Sequence, residues 1–326
     1  MNGLDKLFQI LQVDIDKINF YLEENLRSQV PLVSEINRHI LVGGGKRLRA
    51  LLFVLCSRLC GYKGKEGAHY FATIFEYLHG ATLLHDDVID NADIRRGKSA
   101  ANILWGNSAS VLVGDFLLAK SFDLAVETKN LRFLQILSKT TMLMAEGMVS
   151  ELINSYNLQV SEDTYRDILV NKTAVLISAA CQTGAIIGNP SRKEESALGR
   201  YGMELGIAFQ IIDDLLDYTS TQKDFGKPVA NDFKEGKITL PLIYAMQGCS
   251  DRIKKKIGII SKKREFSEEN IEFVFDLVKK SGGIEFTLRK AIEAKEKAQK
   301  FLQIFPPSRN RQILHDLAEF VVERKR

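Results

Sequence analysis

Apolar residues recur at spacings of three and four along almost the whole chain, and proline hardly ever interrupts them. Leu4, Phe8, Leu11, Ile15, Ile18 and Tyr21 begin the pattern, which an amphipathic helix satisfies and a strand does not. The 326 residues hold six prolines, far fewer than a fold of short strands and tight turns uses. The same period predicts helices from Pro31 to His39 and over 47–60, 66–90, 107–128, 131–157, 163–188, 195–218 and 239–247, with a last group across 267–325. Gly43-Gly44-Gly45, Asn189-Pro190 and Pro306-Pro307 are the clearest stops. No composition shift marks a linker and no period repeats, so the chain reads as one all-α domain, residues 1–326, with a large buried core.

Several function classes fall away on charge and cysteine usage. A net charge of +4 is too small a surplus to imply a nucleic-acid partner. Cys56, Cys60, Cys181 and Cys249 make no disulfide framework in a chain this long, and Cys56 and Cys60 read as buried small hydrophobes rather than metal ligands. The first residues lack an apolar signal-peptide core, and the weakly polar stretch Ala174–Gly188, 15 residues, is short for a bilayer. The expectation is a soluble, cytoplasmic, reduced protein. Lys254–Lys263 is the one strongly basic tract; it reads as a solvated face and loop, with weak attraction to anionic lipid as the sharper alternative.

Two segments carry the same arrangement of acids. His85-Asp86-Asp87-Val88-Ile89-Asp90 and Ile212-Asp213-Asp214-Leu215-Leu216-Asp217 each place carboxylates at i, i+1 and i+4 near the end of a strongly apolar helical stretch. Residues i and i+4 share a helix face, so Asp86 and Asp90 can point the same way, as can Asp213 and Asp217. Such acids repel one another and are costly beside a core unless a cation neutralises them. Oxygen donors without partnering His or Cys favour a hard ion, Mg²⁺ first, which takes one or two carboxylates and completes its shell with water and substrate phosphates. One cluster could be a solvated helix end; two matching clusters 127 residues apart point to metal.

Phosphates in turn need cations. Gly43-Gly44-Gly45-Lys46-Arg47-Leu48-Arg49 is a glycine hinge opening into a helix, with Lys46 and Arg49 on one face where backbone amides also favour an anion. Arg95-Arg96-Gly97 follows the first acid motif, and Lys172-Thr173 lies mid-helix. Asp224-Phe225-Gly226-Lys227-Pro228 and Asn231-Asp232-Phe233-Lys234-Glu235-Gly236-Lys237 follow the second acid motif. Singly each reads as surface charge, and none has Walker A spacing. Combined with the acids and the long apolar helices, they describe a pocket for two phosphorylated groups with a greasy cavity below.

On these residues the chain resembles the trans-isoprenyl diphosphate synthases. Gly44-Gly45-Lys46-Arg47-Leu48-Arg49, Asp86-Asp87-x-x-Asp90 with Arg95-Arg96-Gly97, Lys172-Thr173, Phe209-Gln210, Asp213-Asp214-x-x-Asp217 and Gly236-Lys237-x-Thr239-x-Pro241 all look like that family's motifs. Ala50 departs from it, standing where the family usually has Pro, and is expected to alter loop stiffness rather than binding. The resemblance implies a bundle of roughly a dozen helices around a deep central cavity, usually homodimeric. It implies Mg²⁺, about three ions per active site, on Asp86, Asp90 and Asp213, with Asp87, Asp214 and Asp217 as ligands or their support. It places Arg95, Lys172, Lys227 and Lys237 on an allylic diphosphate, with Thr173 and Gln210 steadying the cation. Lys46, Arg49, His79 and Arg96 would hold isopentenyl diphosphate. A lone helical His is more often structural; His79 stands seven residues before Asp86, where the family has a ligand.

Product length should follow from what blocks the cavity beneath Asp86. Thr82 and Ala81, four and five residues earlier, are small, and the next side chain down is Leu78, about 12 Å below at 1.5 Å per residue. A floor could come instead from Tyr77, Met142, Leu143 or Met144. The expectation is an octaprenyl-type product, roughly thirty to fifty carbons, for quinone side chains, made from a farnesyl or geranylgeranyl primer; transient membrane-surface contact would let it leave. A geranylgeranyl product is the alternative. A terpene cyclase would not need Lys46 and Arg49, a non-catalytic partner subunit should have lost acids or cations, and a phosphohydrolase usually wants His ligands.

Overall fold

The computed structural model describes residues 3–42, 45–64, 67–219 and 231–324, and these are helical almost throughout. In chain order they form α1 (Gly3–Asn25), α2 (Pro31–Leu41), α3 (Leu48–Leu59), α4 (Gly67–Ile89), a hairpin of β1 (Ile94–Arg95) and β2 (Lys98–Ser99), α5 (Ala101–Trp105), α6 (Asn107–Glu127), α7 (Leu131–Ile153) and α8 (Glu162–Leu169). One turn of π-helix (Val170–Ala174) leads into α9 (Val175–Ile187) and α10 (Arg192–Thr219). Then come α11 (Asn231–Lys234), α12 (Leu240–Gln247), α13 (Asp251–Lys263), α14 (Glu268–Lys280), α15 (Gly283–Phe301), a 3₁₀ turn (Leu302–Ile304) and α16 (Arg309–Glu323).

The expected all-α class is what the chain adopts, with three local differences. The run expected at 163–188 is present as one helical run, Glu162–Ile187, but carries a π turn at Lys172-Thr173. The basic tract is a helix, α13, because Ile253, Ile257 and Ile260 supply an inward stripe that the lysines disguise in the sequence. The hairpin, four residues of strand, is too short to leave a periodic signal.

The chain falls into two compact units. The first comprises residues 1–141, 176–202 and 301–316, and the second 142–175, 203–300 and 317–326. In the first, Phe53, Phe75 and Phe133 form an aromatic core, with ring centroids 5.5 Å and 6.1 Å from Phe53. Asp14 ties α1 to α3 and α4 there: Arg58 donates to both its oxygens (2.7 and 2.6 Å) and His69 Nε2 lies 2.8 Å away. Burial alone would raise the Asp14 pKa, but these partners hold it well below the carboxylate range. In the second unit, Tyr244 and Phe286 stack at 4.1 Å, and Gly206 lets α10 meet the π turn, since an added Cβ would stand 2.6 Å from Ala174 Cα.

Among the described residues one helical run, Glu162–Ile187, is long and apolar enough to cross a membrane, and 56% of its apolar window is buried inside the protein, as in a core helix.

Candidate active site

In the first unit the basic motif splits by side-chain direction. Arg47, left-handed at φ 50°, turns inward ahead of α3 and donates to Asn19 Oδ1 (2.9 Å), the Leu41 carbonyl (2.5 Å) and Glu76 Oε2 (3.3 Å). This guanidinium is occupied by α1, α2 and α4, while Lys46 is exposed and Arg49 half-buried. Ala50 is fully buried in the first turn of α3, a position that proline tolerates and alanine fills without strain.

The hairpin delivers the next cations. Arg96 and Gly97 form its two-residue turn with φ of 51° and 77°, the positive pair that a tight hairpin of this hand requires. Arg96 thereby comes up against Gly45, where an added Cβ would stand 3.3 Å from Arg96 Nη1. His79 on α4 feels both: burial first, then the charges of Arg49, Arg96, Arg95 and Arg47, hold its pKa well below the usual histidine range. The structure thus gathers Arg49, His79 and Arg96, three of the four residues expected around isopentenyl diphosphate.

The first acid motif ends α4. Asp87 is fully buried; Arg95 Nε donates to its Oδ1, while its Oδ2 has no hydrogen-bond partner among the described residues. Burial raises the Asp87 pKa, and Arg95 pulls against it. Asp86 and Asp90 are half-buried on the same helical end. A small cavity lined by His39, Asp87, Arg95, Arg96 and Lys98 opens beside them. Up the same helix, Leu78 and Ala81 are buried, and half-buried Thr82 donates to the His79 carbonyl at 2.8 Å. Tyr77 is buried and reaches the Leu22 carbonyl at 3.4 Å.

In the second unit the π turn carries Lys172 and Thr173. Its extra residue swells the helix against Gly147, where an added Cβ would stand 2.7 Å from the Lys172 amide nitrogen. Lys172 Nζ pairs with Glu151. Thr173 Oγ1 donates to Gln210 Oε1 (2.9 Å), and Gln210 Nε2 donates to Asp214 Oδ1 (2.8 Å). The other oxygen of Asp214 accepts from Tyr165 Oη at 2.6 Å. Burial pushes the Asp214 pKa up to about 7 in spite of these bonds.

The other two acids of the second motif have different surroundings. Asp217 accepts from the backbone N–H groups of Asn231 (3.1 Å) and Asp232 (3.2 Å), fastening α10 to the start of α11. Asp213 is exposed and takes Arg324 Nη2 at 3.1 Å; the same guanidinium donates to the Phe209 carbonyl (2.9 Å) and lies 3.8 Å over its ring. Lys237 pairs with Glu235 at 2.5 Å. Lys227 lies outside the described residues, as do Gly43 and Gly44. Of the residues at this site, Tyr165, Glu151 and Arg324 left no mark in the sequence: a tyrosine, an acid and an arginine on amphipathic helices look like any others.

Among the described residues no three His, Cys, Asp or Glu side chains converge into a ready-made metal cage. Mg²⁺ asks for few protein carboxylates and completes its shell with water and phosphate oxygens. In the first unit the donors fit: oxygens only, with Asp86 and Asp90 one turn apart and Asp87 Oδ2 unsatisfied among the described residues.

A polyprenyl synthetase family model matches residues 30–278. The chain belongs to this family. It is 38% identical over 325 residues to the octaprenyl diphosphate synthase of Escherichia coli (strain K12), covering 99% of this chain and 100% of that one. It is also 36% identical over 318 residues to heptaprenyl diphosphate synthase component 2 of Bacillus subtilis (strain 168), covering 98% and 90%. The crystal structure of a polyprenyl synthase from Caulobacter crescentus CB15, complexed with calcium and isoprenyl diphosphate, superimposes with a TM-score of 0.94 at 37% identity, covering 99% of this chain and 98% of that one. This polyprenyl synthetase is therefore a trans-polyprenyl diphosphate synthase, a prenyltransferase with the all-α fold of its relatives.

Proposed function

We propose that this synthase extends farnesyl or geranylgeranyl diphosphate by successive condensations with isopentenyl diphosphate, giving an all-trans octaprenyl-like product of roughly thirty to fifty carbons for quinone side chains. The carrying observation is on α4, where the positions four and five residues before Asp86 are Thr82 and a buried Ala81, with no aromatic ring to stop the growing chain. The octaprenyl and heptaprenyl relatives support the same length class.

In this reading, Asp86, Asp90 and Asp213 hold Mg²⁺, three ions in the family's manner, with Asp87, Asp214 and Asp217 fixing the ligands in place. Bound Mg²⁺ would neutralise charge on the departing diphosphate. Arg95, Lys172, Lys227 and Lys237 grip the allylic diphosphate. Arg95, Lys172 and Lys237 each already face an acid, Asp87, Glu151 and Glu235, so their side chains are held in place before substrate arrives. Lys46, Arg49, His79 and Arg96 bind isopentenyl diphosphate. An imidazole kept neutral by burial and by four neighbouring arginines is ready to donate its N–H to a diphosphate without adding to their repulsion. Thr173 and Gln210 present dipoles to the developing allylic cation, and apolar walls keep water from quenching it. Holding both substrates in register supplies much of the rate. The proton released at the end goes to the departing diphosphate.

The whole chain acts as one catalytic domain in a cytoplasmic homodimer. Met142, Ala145, Val149 and Ile153 form an exposed apolar groove along α7, a face suited to a second copy of the chain. On α13, Arg252, Lys255, Lys256, Lys262 and Lys263 are exposed around Ile259, a face suited to brief contact with anionic lipid as product leaves.

A product assay tests this reading. Purified protein with Mg²⁺, farnesyl diphosphate and labelled isopentenyl diphosphate should yield a ladder ending between roughly thirty and fifty carbons, and Ala81→Phe should shorten it by several isoprene units. A stop at twenty carbons, or no shortening by Ala81→Phe, would overturn the length assignment.

A further inference from the structure

Asp214 belongs to a metal-suited motif, yet both of its carboxylate oxygens are taken from inside the protein. It is 5% exposed, with Tyr165 Oη at 2.6 Å on one oxygen and Gln210 Nε2 at 2.8 Å on the other. Its neighbour Asp213 is exposed. The middle carboxylate is therefore an inward strut, and what holds it fixes the direction of Asp213 on the same helical turn.

Tyr165 reaches that strut because of the π turn. In an unbroken α-helix residue 173 would lie about 80° around the axis from residue 165, at 3.6 residues per turn. The extra residue in Val170–Ala174 takes up most of that rotation, so Tyr165 and Thr173 come to one face. Thr173 meets Gln210 at 2.9 Å and Tyr165 meets Asp214, and Gln210 joins the two contacts. The result is one hydrogen-bonded chain from Tyr165 through Asp214 and Gln210 to Thr173. Every link is within a single compact unit.

We propose that Tyr165 is a positioning residue for the synthase: its hydroxyl locks Asp214 and thereby orients Asp213 toward metal and Gln210 toward the allylic substrate. This rests on the assignment of Asp213 and Gln210 given under the proposed function. A tyrosine that only filled space would be replaced by phenylalanine at no functional cost. A hydroxyl that aims a ligand set is different, because losing such an outer partner typically weakens metal binding about ten- to a hundredfold.

The test uses calorimetry on the full-length protein with Mg²⁺ and a non-reactive thiolo-diphosphate analogue of farnesyl diphosphate. Tyr165→Phe should keep its helical circular dichroism and its affinity for isopentenyl diphosphate, and bind the analogue with Mg²⁺ about tenfold more weakly. Asp214→Asn should do the same, and the double variant should be no worse than either single one, since both break one link. Wild-type affinity in folded Tyr165→Phe, or additive losses in the double variant, overturns the positioning role alone. If the wild-type protein itself shows no Mg²⁺-dependent binding of the analogue, the assignment of the second motif fails and Tyr165 falls with it. Should Tyr165→Phe not fold, the role is likewise refuted, because the hydroxyl would then be serving stability.

Discussion

The two acid motifs are spaced alike and held differently. In each, the middle aspartate is buried, Asp87 completely and Asp214 nearly so. Asp87 is met by a cation, Arg95, brought back by the hairpin that follows α4. Among the described residues, the hydrogen bonds to Asp214 come from neutral donors, the Tyr165 hydroxyl and the Gln210 amide. Burial raises both carboxylates; at Asp87 a guanidinium offsets part of that rise with its own charge, whereas at Asp214 neutral donors satisfy the oxygens and burial still lifts the pKa to about 7. The first motif is thus braced as an ion pair and the second as a hydrogen-bonded chain. One sequence pattern supports two ways of presenting the flanking carboxylates.

The sharpest way to break this contrast is Arg95→Ala, which strands a buried carboxylate. It should cost about 3 kcal/mol or more of unfolding free energy in a denaturant titration, and adding Asp87→Asn should recover much of it. If the loss is no larger than that of Tyr165→Phe, the ionic and neutral braces are energetically equivalent and the comparison collapses.

A smaller effect follows from His79, whose neutral state the first unit enforces. Its folded pKa lies below the unfolded value of about 6.5, so the unfolded chain binds a proton the folded chain refuses. Stability should therefore rise with pH up to about 6.5 and be lost as pH falls below it. His79→Gln should flatten that part of a melting-temperature profile, and an unchanged acid limb would mean that neither burial nor the arginines Arg49, Arg96, Arg95 and Arg47 hold the imidazole neutral.

The smallest effect should come from Arg324→Gln. Arg324 is buried but its partner Asp213 is exposed, so the pair is worth about 1 kcal/mol or less in thermal unfolding. A loss approaching that of Arg95→Ala would show that the second motif also depends on a cation, contrary to the contrast drawn here.

Much of the candidate site is legible in the sequence alone, because its chemistry is carried in local spacing. Asp86 and Asp90, or Asp213 and Asp217, share a face by the helical period alone. Lys46, Arg47 and Arg49 were readable as cations. Which of them turns inward was not, since Arg47 is claimed by Asn19, Leu41 and Glu76, residues up to 29 positions away. Tyr165 stayed invisible for a related reason: its partner is 49 residues on, and a π turn no periodicity announces sets its direction.

Helix class, the two acid motifs, the roster of cations and the small residues before Asp86 are therefore properties of the chain as written, because they depend on neighbours within a turn or two. Only the tertiary structure decided that Asp87 meets Arg95, that Asp214 meets Tyr165, and that Asp213 is the carboxylate of its motif left exposed. Those choices depend on which distant segment arrives beside each buried side chain, and the partner it brings sets whether the charge meets a cation or neutral hydrogen-bond donors.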